Sequence, residues 1–247
     1  MKGFAINLQA LSLIILIFAL MMTASSMLSA QSLTTFSSEY SASANGIKAK
    51  AFRSLKRLDD GGYQFENTLT AEFAGTTLAT LIESSQFKLV GQSIIPARYQ
   101  YSLTGISDDS KVIAFDWPAL LAVSSEALKS WTIELTNNTQ DPLSYQLVLA
   151  QYLANHTGSL FEIPIIDGAD VEIQRFKIIA EEVLDSAIGR LDCVIVERIK
   201  DDDDKRTTTI WFAKDHSYLL AKLKQTTAGG LTISLELESA VIGELAL

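Results

Sequence analysis

The 247-residue sequence predicts a mainly β fold: a single curved antiparallel sheet (a half-barrel or open barrel) of about ten strands, packing one main α-helix. Three observations predict this fold. Several segments alternate apolar and polar residues, turn residues recur between these segments, and one apolar stretch has helical spacing. The composition, 48% hydrophobic and 20% charged, provides enough apolar material for a globular core.

Alternation is clear in three segments: Tyr63–Phe73, Arg98–Thr104 and Leu231–Leu237. In each of them, aromatic or aliphatic residues occupy every second position over most of the segment, with polar residues between them. A strand with this period has one buried and one solvated face, which is typical of antiparallel sheets. The three segments therefore predict strands of one antiparallel sheet.

The turns indicate how the strands are connected. Asn45-Gly46 separates two such segments, and Asn-Gly is the strongest short hairpin signal. Turns are also predicted at Asp59–Gly62, at Asp167–Asp170 and at Ala228–Gly230. With turns this frequent, the strands are expected to follow one another in meander order.

One helix is predicted at Pro142–Ala154. Asp141 is suited to cap the first backbone N–H groups, and proline fits the first helical position because its missing donor would be unpaired there. The apolar residues have helical spacing, so this helix is expected on the concave side of the sheet. Four side chains are expected to be buried: Leu143, Leu147, Val148 and Ala150.

The N-terminus predicts a secretory signal peptide at residues 1–30. Lys2 is its only charge, the apolar run Leu11–Met22 follows, and small residues lead to a cleavage site expected after Ala30. An uncleaved anchor is the alternative, but this run is shorter than the roughly 20 residues that span a bilayer. We therefore expect residues 31–247 to form a single periplasmic domain without a transmembrane anchor.

The charge restricts the expected partners. The formal net charge is −9, with no cluster of basic residues, whereas nucleic-acid binding requires grouped Lys and Arg. Nucleic acid is therefore not an expected partner. An apolar ligand or another protein of the cell envelope is the expected partner, and no cofactor is expected.

Four consecutive aspartates, Asp201–Asp204, form the densest charge cluster. They separate two strand-like segments, so a hairpin turn is predicted there. Calcium is the functional alternative, but the run lacks the spaced oxygens, central Gly and distant Glu of an EF-hand loop.

The single cysteine, Cys193, is predicted to be a buried strand residue. Only two histidines, His156 and His216, are available for a zinc site.

No catalytic or metal-binding constellation is predicted. The favoured function is a non-enzymatic binding module for an apolar, lipid-like ligand; a scaffold or interaction protein of envelope assembly is the alternative, and a hydrolase is a third. The residues Asp116-Trp117-Pro118 could line a carbohydrate groove, although a core aromatic is favoured. The candidate cavity-lining residues are the aromatic residues of the strand segments: Tyr63, Phe65, Phe73, Phe87, Tyr99, Tyr101, Phe115 and Trp117.

An ordered set of segments carries a family resemblance: SEYSASANGIKAKAFRSL, YQYSL with FDW after it, TQDPLSYQLVLA, LDSAIGRLDCVIVER, KRTTTIWFAKDHSYLLAKLKQT and TISLELES. Over residues 36–240 the chain resembles a family of exported Gram-negative proteins, the domain of unknown function 3108. The resemblance implies a periplasmic location and a mainly β fold. It supplies no catalytic residues.

Overall fold

A computed structural model describes residues 32–105, 108–155, 158–199 and 206–247. The predicted signal peptide, the aspartate run and His156 lie outside these ranges. No helix in the described part of the chain is long and apolar enough to cross a membrane.

Fifteen strands and one α-helix are formed by the described residues. The first half of the chain contains β1 (Phe36–Ala44), β2 (Ile47–Arg57), β3 (Tyr63–Phe73), β4 (Thr76–Val90), β5 (Ser93–Gly105), β6 (Asp109–Asp116), β7 (Leu121–Glu126) and β8 (Lys129–Glu134). Helix α1 (Tyr145–Asn155) follows. The second half contains β9 (Leu160–Asp167), β10 (Asp170–Ser186), β11 (Gly189–Arg198), β12 (Thr207–Ala213), β13 (Leu219–Thr226), β14 (Thr232–Ile242) and β15 (Leu245–Ala246).

The prediction of a mainly β antiparallel fold is confirmed, but the predicted number of about ten strands was wrong. Turns at the four predicted positions separate strands as expected. Other turns between strands lack a strong turn motif in the sequence. At the β3–β4 hairpin, Ala74 and Gly75 both have positive φ, 50° and 78°, the conformation for which Asn-Gly is the usual choice. Alanine gave no signal of this turn in the sequence.

The sheet consists of two meanders joined in its middle. Its strand order is β8-β7-β6-β5-β4-β3-β2-β1-β14-β13-β12-β11-β10-β9, with β15 beside β14. The predicted meander order therefore holds within each half. The two halves are joined by the pairing of β1 with β14, close to the two ends of the described chain. Consequently the middle of the chain supplies both edge strands, β8 and β9.

The sheet curves until its two ends approach each other, without closing into a barrel. β8 is one end of the strand order and β10 is next to the other end, and the two strands nevertheless contact each other. After β8, Gln140 forms a short parallel bridge with β9: its N–H donates to Pro164 O over 2.8 Å, and its carbonyl accepts from Ile166 N over 3.0 Å. Helix α1 follows directly, so it lies where the two ends of the sheet meet.

Helix α1 begins at Tyr145, three residues later than predicted, because Asp141–Ser144 form the turn that caps it. Asp141 Oδ1 accepts 2.8 Å hydrogen bonds from the N–H groups of Leu143 and Ser144, which confirms the predicted capping role. Asp141 Oδ2 accepts a 2.5 Å hydrogen bond from Ser85 Oγ on β4. The same carboxylate therefore caps the helix and attaches it to the sheet.

The buried stripe of the helix differs from the prediction. Leu143 is buried as expected, but Leu147, Val148 and Ala150 are only half-buried. The fully packed side chains are instead Tyr145, Leu149 and Leu153, spaced four residues apart. The helix lies between two halves of a curved sheet, so residues on more than one of its sides contact apolar groups.

Two apolar clusters form the core. One, on the β9–β14 side, includes Leu149, Leu153 and Cys193. The other, on the β2–β8 side, includes Leu143, and Leu147 packs against it. Cys193 is fully buried on β11, which confirms its prediction as a core strand residue. The strands that flank the aspartate run, β11 and β12, pair in antiparallel register, as expected on the two sides of a hairpin.

Candidate functional site

A cleft of about 420 Å³ opens between the two meanders, beside the start of α1. One wall is formed by β4, β5 and β6, and the other by β9 to β13. Tyr145, the first residue of α1, lines the cleft between these walls. Ligand sites commonly occupy about 300–1,000 Å³, and they commonly lie where separate parts of a fold meet. This cleft is therefore the candidate site.

The first wall is built around Glu83 on β4. Its Oε1 accepts a 2.8 Å hydrogen bond from the hydroxyl of Tyr99, and its Oε2 accepts a 3.0 Å hydrogen bond from Nδ2 of Asn67. Burial and the negative charge of Glu83 raise the pKa of Tyr99. The tyrosine therefore remains a hydrogen-bond donor at neutral pH and holds the carboxylate in place.

Glu83 belongs to a row of polar side chains that crosses the sheet. The register places Arg53 of β2 opposite Asn67 of β3, which is opposite Glu83. Tyr101 of β5 and Lys111 of β6 continue the row. Directly opposite residues project from the same face of a sheet. Polar groups therefore share a face with the apolar residues of the core.

The second wall carries two arginines. Arg198, at the end of β11, is buried, and Arg206 lies just before β12. The guanidinium of Arg206 donates to Asp167 Oδ2 at the end of β9, and it lies 3.6 Å from Glu172 Oε2. The neutral polar side chains of this wall come from β10, β12 and the β13 region: Gln174, Thr208, Gln225 and Thr227.

Charged residues on both sides of the cleft shift the pKa of Tyr145. Burial is the main cause that raises its pKa to about 12; the positive charges of Arg53 and Arg198 lower the pKa, and Glu83 raises it. Its hydroxyl group therefore stays protonated over the physiological range.

Of the eight aromatic candidates, Tyr99 and Tyr101 line this cleft. Phe73 is 67% exposed at the β3–β4 hairpin and is not among the residues that line the cleft. The remaining five pack in or against the β2–β8 core cluster: Tyr63, Phe65, Phe87, Phe115 and Trp117.

The five packed aromatics form close contacts with other side chains and backbone groups. Tyr63 stacks on Phe87 with ring centroids 5.6 Å apart, and Phe115 stacks on Trp117 at 6.0 Å. Trp117 donates from Nε1 to Pro96 O over 2.6 Å. The side chain of Trp117 is thus half-buried and packs against the β2–β8 core cluster.

The sequence analysis missed charged residues that line the cleft, among them Glu83 and Arg198. A signal for the polar row was nevertheless present in β2 and β3. Arg53 is in phase with Ala51 and Leu55, and Asn67 is in phase with Phe65. A polar residue at a position of the apolar face indicates a polar group directed into the fold.

Within the described ranges, no group of three or more His, Cys, Asp or Glu side chains is placed to hold a metal ion. His216 is half-buried in a short 3-10 turn, Lys214–His216. The residues of the cleft offer hydrogen bonds and charges rather than a set of metal ligands.

The fold is an open, curved antiparallel β-sheet with a candidate cleft between its two meanders. The family model described as "Protein of unknown function (DUF3108)" matches residues 39–237, and the chain belongs to this family. The resemblance noted from the sequence segments is thereby confirmed.

Among solved structures, the chain is similar to the crystal structure of a β-barrel-like protein of domain of unknown function DUF1849 from Brucella abortus. The identity is 8% and the TM-score 0.55, and the similarity covers 86% of this chain and 99% of that one. A likeness at this identity shows the fold alone. No curated protein matches the chain.

Proposed function

We propose that the protein is a non-enzymatic binding module that holds a small polar or amphipathic ligand in the cleft between its two meanders. The proposal is carried by one observation: Glu83, Tyr101 and Arg198 all line the same cleft of about 420 Å³. These groups come from strands remote in sequence. Several converging polar groups in a formed cleft are the usual features of a ligand site.

The position of the aromatic residues favours a polar ligand over the lipid expected from the sequence. Tyr63, Phe65 and Phe87 are 1–3% exposed, so their rings contact protein rather than a ligand space. The cleft is lined by carboxylates, guanidinium groups and hydroxyls rather than by these aromatic rings. A long hydrocarbon chain there would remove these polar groups from water without providing hydrogen bonds, which is unfavourable.

Native mass spectrometry of protein purified from its own cells tests the proposal. The expected result is an added mass that is lost on denaturation. Tyr101→Ala should lower the bound fraction, because Tyr101 lines the cleft. Phe73→Ala is the matched control, since this exposed ring lies outside the cleft and its loss should leave the bound fraction unchanged. Equal loss in both variants, or protein that carries no small molecule and takes none up from cell extract, would contradict the proposal.

The alternative, an interaction protein of envelope assembly, is favoured by the far end of β10. Within the described residues, β9 pairs only with Asp170–Lys177 of this strand. Ile179 and Val183, beyond the paired segment, are 44% and 47% exposed. An unpaired strand edge can accept a strand from another protein. A stable complex abolished by Val183→Pro, in a protein that retains no small ligand, would favour this alternative.

We also propose that the protein acts in the periplasm, as expected from residues 1–30. Intact-mass measurement of the protein from a periplasmic extract should give a chain that begins after Ala30. Recovery of a chain that begins at Met1 in the membrane fraction would contradict this location.

A further inference from the structure

Three neighbouring hairpins expose apolar side chains at one end of the sheet. They join β3 to β4, β1 to β2 and β13 to β14, and their six strands are consecutive in the strand order. Phe73 is 67% exposed, and Ile47 and Leu231 are each 38% exposed. We call the turns of these hairpins, together with these three side chains, the tip surface.

Two of these hairpins are hydrogen-bonded to each other at their turns. The N–H of Asn45 donates to Thr232 O, and the N–H of Thr232 donates to Asn45 Oδ1, each over 2.8 Å. Asn45 and Gly46 have positive φ, 48° and 80°, as a two-residue hairpin turn requires. The two turns are therefore fixed relative to each other, and Ile47 and Leu231 are presented side by side.

Charged residues are absent from the tip surface, although the chain is acidic overall. The three hairpins lie within sequence runs that contain no charged residue: 40–47, 73–82 and 225–235. The other hairpins at this end of the sheet carry acidic residues in their sequences: Asp108, Asp109, Glu126, Asp167, Asp170 and Asp201–Asp204. A charge is costly to remove from water, so the tip surface is the part of this end that can enter an apolar medium.

Exposed lysines lie directly behind the apolar tips. Lys48 follows Ile47, Lys50 is two residues further along β2, and Lys224 is two residues before the end of β13. At a lipid–water interface, apolar side chains reach the acyl boundary while lysine ammonium groups stay level with the headgroup phosphates. The arrangement of apolar tips with lysines behind them therefore matches a phospholipid surface.

The net charge of the chain restricts which lipid surface is suitable. At a formal charge of −9, the protein as a whole is repelled by a strongly anionic membrane. Uncharged tips avoid this repulsion only where the lipid headgroups have no net charge. Zwitterionic phospholipids meet this condition, and their phosphates remain within reach of the lysines.

We infer that the tip surface docks on a zwitterionic phospholipid bilayer, with Phe73, Ile47 and Leu231 inserted at the boundary between headgroups and acyl chains. This inference goes beyond ligand binding in the cleft and does not depend on it. Three partly exposed side chains provide reversible attachment rather than a permanent anchor. Gln225 and Thr227, from the hairpin that bears Leu231, also line the cleft, so docking holds this side of the cleft near the membrane.

Cosedimentation with vesicles of phosphatidylcholine and phosphatidylethanolamine tests the inference. Residues 31–247, the chain expected after signal cleavage, are used because Ser32–Leu247 form one compact unit. The wild-type protein should bind in proportion to the lipid concentration. Phe73→Asp and Leu231→Asp should each lower the partition coefficient about tenfold or more, because an apolar contact is lost and a charge is brought to the acyl boundary.

Val90→Asp is the matched control. Val90 is 64% exposed, and it lies on the β4–β5 hairpin at the opposite end of the sheet. This variant should bind vesicles as the wild type does. Circular dichroism of all three variants checks that they fold, which is expected because the substituted side chains are exposed.

Insertion is measured separately with an added tryptophan. Brominated acyl chains should quench the fluorescence of Phe73→Trp more than that of the wild-type protein, which has three tryptophans of its own. Val90→Trp should show no quenching beyond the wild type, because its hairpin faces away from the bilayer.

Three results would overturn the inference: no binding of the wild type to vesicles, equal loss of binding in Val90→Asp and Phe73→Asp, or no added quenching in Phe73→Trp. A protein partner that is lost in Phe73→Asp, when vesicles do not bind, would also overturn it and would assign the tip surface to protein recognition. None of these results bears on the small molecule expected in the cleft, whose occupancy is measured with Tyr101→Ala.

Discussion

Arg53 on β2 donates a 2.6 Å hydrogen bond from Nη2 to the side-chain oxygen of Gln146 on α1. The arginine is 4% exposed, and its guanidinium carbon lies 4.9 Å from the centroid of the Phe65 ring. A buried cation is costly unless it has hydrogen-bond and electrostatic partners. This hydrogen bond therefore helps to fix the position of the helix, and it offsets part of the free-energy cost of burying the guanidinium.

We expect Gln146→Ala to reduce the free energy of unfolding by about 1–3 kcal/mol, because the buried guanidinium loses one of its acceptors. Gln151→Ala, on the same helix, should change the free energy by less than about 0.5 kcal/mol. Urea unfolding of both variants measures the difference. Equal stabilities of the two variants would show that the Arg53–Gln146 contact contributes nothing.

The orientation of α1 predicts a stability order for three leucine truncations. Leu149 is fully buried, so Leu149→Ala should cost about 2–5 kcal/mol. Leu147 is half-buried and its truncation should cost less, whereas Leu128, 104% exposed, serves as the control that costs almost nothing. Thermal or urea unfolding gives the order. A Leu147 variant less stable than the Leu149 variant would mean that the helix is rotated from the orientation described.

Alkaline pH should destabilise the fold through its tyrosines. Burial raises the pKa of Tyr40, Tyr99, Tyr101 and Tyr145 above 10.0, and that of Tyr145 to about 12. The folded state therefore retains protons that the unfolded chain loses. The contribution of these protonated tyrosines to the free energy of unfolding is fully present below pH 10. It is lost as the pH rises through the folded-state pKa.

For each such tyrosine, the free energy of unfolding should fall by up to about 1.4 kcal/mol per pH unit above pH 10. Tyr145→Phe should reduce the slope between pH 10 and 12, since phenylalanine has no proton to lose. Urea unfolding at several pH values, with tyrosinate absorbance recorded in parallel, checks both statements. An unchanged slope in the variant would argue against burial of the Tyr145 hydroxyl group.

Cys193 should react slowly with thiol reagents in the folded protein. Burial, and to a smaller extent the negative charges of Glu182 and Asp192, raise the pKa of its thiol to about 11. The thiolate is the reactive form, so little of it is present at pH 8. Labelling at pH 8 should accelerate sharply when urea unfolds the chain. Rapid, complete labelling of the native protein would be incompatible with a buried strand position.

Several parts of the fold were predictable from short stretches of sequence. Alternation located β3 with its observed bounds, Tyr63–Phe73, and Asn45-Gly46 located the β1–β2 turn. The capping role of Asp141 was also predictable. These features depend on residues within a few positions of each other, so their physical causes are visible in the sequence itself.

The strand count and the buried side of the helix were less predictable. Ala74 adopts the positive φ that usually favours Asn or Gly, so the β3–β4 turn gave a weak signal. For α1, apolar residues occur on several sides, and the spacing did not distinguish Leu147 from Leu149. Which side is fully buried depends on where the two meanders contact the helix.

Of the candidate site, Tyr99 and Tyr101 were found from the aromatic pattern, whereas Glu83 and Arg198 were not. Local alternation and turn chemistry were enough to establish an antiparallel β protein with one capped helix. The pairing of β1 with β14 and the curvature of the sheet bring β4 opposite β11. A charged side chain can be directed inward only where distant strands supply its partners, and those partners exist only once the whole sheet has formed.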